Sequence, residues 1–143
     1  MSTALALIAR TARLSGLRTA LDVGGARLLF YTGLPPATTG ATTAETLLGT
    51  ALLSNPCGAL GQTVVSPTST LATLTMTVPK TTTAVASGVI GWVRMANGVG
   101  GAAGEGFIDL PAGLVDSGAP AILNVMQVFA GGEIQLLSCV LAE

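Results

Sequence analysis

Seven carboxylates, two thiols and one lysine are the reactive side chains of a 143-residue sequence that contains no histidine. Without an imidazole to take a nucleophile's proton, no Ser-His-Asp or Cys-His arrangement can be built. Lys80 follows Pro79 and heads no Ser-x-x-Lys motif. Cys57 and Cys139 stand far apart with no Cys-x-x-Cys spacing, and a zinc site would need carboxylates to complete it. They read as buried free thiols acting as small hydrophobes, with a disulfide as the alternative. Glu105 and Asp109 are spaced as a carboxylate pair for glycoside chemistry. Sugar sites also display aromatic platforms, however, and only Trp92, Tyr31 and three phenylalanines are present. Trp92, set in a run of Val, Ile and Met, reads as a core anchor.

Two strings invite a sharper reading. Leu114-Val115-Asp116-Ser117-Gly118-Ala119 resembles the aspartic-protease signature, in which a homodimer brings two aspartates together to share one proton. Only 25 residues follow Gly118, too few for the hydrophobic-hydrophobic-Gly element that braces such a site well downstream. A turn in which Asp116 bonds its own backbone is the better reading. Gly98 to Gly104 has the glycine content of a dinucleotide loop, but that loop must open a helix. Glu105 to Leu110 looks like a strand, so a loop between strands is expected. No catalytic, cofactor-binding or metal-ligating residue is assigned, and the expected class is non-enzymatic.

The elements that would position these residues are mostly short strands. One helix is predicted over residues 3–22, where Leu5, Ile8, Ala12, Leu14, Leu17 and Leu21 recur at spacings of three and four and Gly24-Gly25 ends the run. Strands are predicted at 26–32, 45–54, 63–66, 71–78, 86–96, 106–110, 121–130 and 133–142. Leu71 to Val78 alternates cleanly, and Gly131-Gly132 is placed as the tight turn of a C-terminal hairpin. About seven or eight short strands with turn signals between them argue for a β-sandwich or barrel. The organisation expected is an N-terminal helical arm over residues 1–24 and a β-domain over 25–143, together one globular unit.

Half of the residues are hydrophobic, 9% are charged and 3% are aromatic. Mean hydropathy is +0.70. An average soluble domain carries about 25% charged residues, so a lone monomer could not spread these few over its surface. The apolar runs are too short for a transmembrane helix, which takes about 18 residues, and no signal peptide is read at the N-terminus. The low charge and high apolar content oppose disorder. With six basic residues and few aromatics, nucleic-acid binding is not expected. Threonines stud the strands from 32 to 83, giving outward faces that suit packing against protein. Residues 1–30 hold Arg10, Arg13, Arg18 and Arg27 against Asp22 alone. Arg10, Arg13 and Arg18 are the candidate partner interface.

The helix, the stretch Gly24-Gly25-Ala26-Arg27-Leu28-Leu29-Phe30-Tyr31-Thr32-Gly33-Leu34-Pro35-Pro36, the stretch Ser87-Gly88-Val89-Ile90-Gly91-Trp92-Val93-Arg94 and the C-terminal hairpin resemble small virion proteins of tailed bacteriophages. The resemblance implies a capsid decoration or cement protein: a jelly-roll-like β-sandwich, often a homotrimer, on the outer face of the head. Its implied partner is the major capsid protein, with assembly in the host cytoplasm and no cofactor, membrane or nucleic acid involved. A tail or head–tail connector subunit is the alternative within virions. A small carbohydrate-binding β-sandwich module, using Trp92, is the alternative outside them.

Overall fold

A computed structural model describes residues 2–22, 26–38, 44–78, 80–96 and 106–143. The expectations for Gly24-Gly25, for the loop from Gly98 to Gly104 and for Glu105 lie outside the described residues. Helix α1 spans Ser2–Leu21. Its apolar stripe turns inward, with Leu14 and Leu21 buried and Leu17 packed beside them, while Ile8 and Arg13 face outward. The helix ends where Asp22 N bonds Arg18 O at 2.8 Å. The Asp22 carboxylate then accepts a hydrogen bond from Cys57 N at 2.7 Å, and its carbonyl accepts one from Asn55 Nδ2 at 3.0 Å. The helix terminus is thereby tied to the chain entering the third strand.

Ten strands follow: β1 (Arg27–Thr32), β2 (Leu47–Leu52), β3 (Gly58–Ser66), β4 (Ser69–Met76), β5 (Lys80–Thr83), β6 (Gly88–Ala96), β7 (Gly106–Gly113), β8 (Ala121–Leu123), β9 (Gln127–Val128) and β10 (Glu133–Ala142). They form one connected sheet in the order β2-β1-β6-β7-β8-β10-β4-β3, with β5 beside β10 and β9 beside β6. The sheet curls until β2 meets β5, where Val85 N bonds Leu48 O at 2.8 Å and Thr82 Oγ1 bonds Thr50 O at 2.7 Å. The protein is thus mainly β with one helix, as the short alternating runs require. Its strands belong to one curled sheet. The pairing is antiparallel except for Ala112↔Ala121 and Gly113↔Ile122 between β7 and β8.

Period-two alternation divides the sheet into an inner and an outer face. Leu28 and Phe30 of β1, Val93 and Met95 of β6, Leu74 and Met76 of β4, and Ile134 and Leu136 of β10 fill the interior. Leu14 and Leu21 of α1 join the same core, so the helix is a structural lid on the sheet as well as an N-terminal arm. Close approach fixes one glycine: a Cβ at Gly91 would collide with the carbonyl oxygen of Gly33, itself at φ 73°.

The C-terminal hairpin is not formed as the sequence suggests. Gly131 N bonds Ala84 O at 2.8 Å and Ala84 N bonds Gly132 O at 2.7 Å, so the glycine pair docks on the chain after β5. The expected strand 121–130 breaks at Asn124, whose Oδ1 accepts Gln135 N at 3.0 Å. Its two halves separate, β8 to β10 and β9 to β6. β5, with the sequence Lys-Thr-Thr-Thr, was not expected at all.

Candidate interaction surface

The strand ends define two poles. Arg27, Leu52, Ala96 and Ala142 lie toward α1, whereas Thr32, Leu47, Gly88 and Glu133 lie at the opposite end. At the helix pole, Arg10 Nη1 donates to the Glu143 carbonyl oxygen at 3.0 Å, and Arg13 Nη2 stands 3.0 Å from Glu143 Oε1. Glu143 also continues the ladder with Ala72 of β4, through bonds of 2.9 and 3.0 Å. Two of the three arginines singled out in the sequence therefore meet at the C-terminal residue of their own chain. Arg18 sits elsewhere, near Cys57, where its charge favours the thiolate. Arg13 keeps 66% of its side chain exposed and still presents charge to solvent. Beside it a groove of about 410 Å³ opens between α1 and the strands, lined by Leu14, Leu17, Ile108, Leu110 and Val140 among others.

The most specific side-chain arrangement lies on the outer face of β1, β6 and β7. Arg94 and Asp109 are direct cross-strand partners, and the guanidinium grips the carboxylate with two bonds, Nε–Oδ1 at 2.7 Å and Nη2–Oδ2 at 3.1 Å. Both side chains are almost wholly buried. The bonded carboxylate raises the Arg94 pKa further, against the opposing effect of burial. Trp92 stacks on Tyr31 with ring centroids 4.6 Å apart, and the Arg94 guanidinium carbon lies 5.1 Å from the Trp92 ring centre. Trp92 Nε1 donates to Thr32 O at 2.9 Å. Trp92 is thus an anchor, but of a small second cluster with Leu29, Tyr31 and Ala96, apart from the main core. Asp109, weighed in the sequence as half of a hydrolytic pair, is held in a structural ion pair. The signal for it was Arg94 itself, a charge two residues from Trp92 and so on the same face.

The remaining candidates resolve simply. Asp116 occupies an exposed turn at φ 68°, with Ser117 N bonded to Leu114 O at 3.0 Å. The side chain bonding the backbone there is Ser117, whose Oγ accepts Ala119 N at 3.3 Å, and not Asp116 as expected. Cys57 and Cys139 are free and buried. Burial pushes the Cys139 thiol up to about 12. Burial, aided by the hydrogen bond and charge of Asp22, pushes Cys57 up to about 11. Both therefore remain protonated near neutrality. Thiol reagents at pH 8 are expected to label neither cysteine in the folded chain and both after denaturation, as read by mass spectrometry. Because the folded state retains protons that the unfolded state releases, stability should be flat below about pH 8 and fall as the pH rises past 9 toward 11. Denaturant titrations across that range check the sign.

At the pole opposite the helix the surface turns apolar. Leu34, Val85 and Phe129 are 80%, 70% and 66% exposed, and Val89 is also exposed. The segments carrying the last three are stitched together by the Gly131–Ala84 bonds, the Val89↔Gln127 pair and a 2.9 Å bond from Ala130 N to Ser87 Oγ. Among the described residues, no group of three or more acidic, Cys or His side chains could hold a metal ion. No described helix is long and apolar enough to cross a membrane. No protein-family model, curated protein or solved structure matches the chain.

Proposed function

We propose that the protein is a non-enzymatic structural subunit that works by surface contact, and that its place is the head of a tailed bacteriophage, as a decoration or cement protein binding the major capsid protein. The observation carrying this reading is the apolar rim of Val85, Val89 and Phe129, set at the end of the curled sheet. Exposed large apolar side chains gathered on neighbouring segments support an interaction site there. Burying it against a shell yields about 25 cal/mol per Å² of apolar area, less the cost of association. Repetition over symmetry-equivalent positions multiplies weak contacts. Arg13, still exposed at the other pole, offers a second, charged point of contact. The jelly-roll description belongs to the same proposal, with β2, β1, β6 and β7 as one layer and β8, β10, β4 and β3 as the other.

Immunogold electron microscopy of particles from the native host, with an antibody raised against the purified chain, tests the placement. Label over the heads is expected. Label confined to tails selects the tail or connector reading, and unlabelled particles overturn both. Val89→Asp and Phe129→Asp, at exposed sites, should shift folding stability by under about 0.5 kcal/mol while abolishing attachment to the particle. Retained attachment of both variants would remove the rim from the interface.

A further inference from the structure

β3 ends the sheet, and no described strand pairs with its outer side. Residues 46–79 contain no charged side chain, so this nine-residue edge carries none of the lysines or acids that commonly blunt an edge strand. Thr77 N donates to Cys57 O at 2.8 Å. Antiparallel alternation from that bond turns the backbone groups of Gly58, Leu60, Gln62 and Val64 away from β4. The one irregularity in the β3–β4 ladder falls beyond them, between Val64 and Ser66.

We propose that β3 pairs antiparallel with β3 of a second copy across a two-fold axis at Gly61, fusing two curled sheets into one. The second copy is singled out by three features. β2, at the other end of the sheet order, already lies against β5, so it is not open to receive β3 of another copy. Self-pairing of one edge is isologous and closes as a two-fold. The absence of charge means that self-pairing sets no like charges opposite one another, a juxtaposition that destabilises cross-strand pairs. Gly58 is buried, so the reachable bonds are those of the two Leu60–Gln62 pairs across the axis, about four, with Val64 exposed beside them. In this register Gln62 faces Leu60 of the other copy and Val64 faces Gly58. Gly61 meets Gly61 on the axis with no side chain to obstruct it. The inference stands apart from the capsid reading, and its two-fold replaces the trimer that the phage resemblance implies.

Sedimentation equilibrium of the full chain at tens of micromolar tests it. The expected species has twice the 14.1 kDa mass of the chain; a monomer or a trimer overturns the proposal. Gln62→Pro removes an outward N–H without taking a bond from β4, and is expected to give a monomer with an unchanged circular dichroism spectrum. The two Gln62 side chains lie diagonally across the axis, so Gln62→Lys and Gln62→Glu should each weaken the dimer several-fold, while their equimolar mixture restores it. A dimer unaffected by all three variants, or a mixture no tighter than its components, refutes the pairing.

Discussion

Asp109→Ala is expected to destabilise the protein by about 3–5 kcal/mol, because it leaves the Arg94 guanidinium buried without its carboxylate. Ionised arginine cannot escape by losing its proton, and at the outer face of β6 it is packed against Trp92. The double variant Arg94→Leu/Asp109→Leu removes both charges and should recover most of the loss, since replacing a buried ion pair with apolar side chains is often close to neutral. Urea denaturation of the wild type, Asp109→Leu alone, Arg94→Leu alone and the double variant completes the cycle. A loss in the double variant equal to the sum of the two single losses would show that the pair is not coupled.

Trp92→Ala carries an effect of similar size, about 3–5 kcal/mol, from the lost burial and the cavity left behind. The replacement also strips Tyr31 of its stacking partner and Thr32 O of the indole donor. Trp92→Phe keeps an aromatic ring against Tyr31 but not the 2.9 Å hydrogen bond, and should cost about 1–2 kcal/mol. Because Trp92 is the only tryptophan and is fully buried, the native protein should emit at short wavelength and shift red on unfolding. Each variant is read by chemical denaturation, and a loss under about 1 kcal/mol for Trp92→Ala would remove the anchor role.

Much of the fold was legible because period and punctuation agree. Residues 3–22 were predicted as the helix that spans Ser2–Leu21, and β1, β6 and β10 fall within a few residues of expectation. β10 itself matches its predicted bounds. What escaped is what tertiary pairing decides. Lys80–Thr83 has no apolar alternation to announce a strand, and becomes one because β10 offers Glu133 to Leu136 as partners. Gly131-Gly132 has the chemistry of a tight turn and makes one, Gly132 N bonding Phe129 O at 2.8 Å, yet its other two bonds go to Ala84 and not to a hairpin partner. The arginines were visible as a basic cluster, but nothing local could show that Arg10 and Arg13 reach Glu143 at the far end of the sequence. Likewise, Arg94 and Asp109 were read separately because their meeting depends on the β6–β7 register.

The position of β10 bears on the order in which the chain can fold during synthesis. It is the strand that joins β5, β8 and β4, and it follows all three along the sequence. Thr75 of the early β3–β4 hairpin, paired with Ala59 on one side, finds its partner on the other side in Val140. At about 5–20 residues per second, the ribosome exposes that hairpin for several seconds before β10 emerges. During that interval β4 as well as β3 presents an open, uncharged edge, so nascent chains on neighbouring ribosomes meet each other before they can close upon themselves.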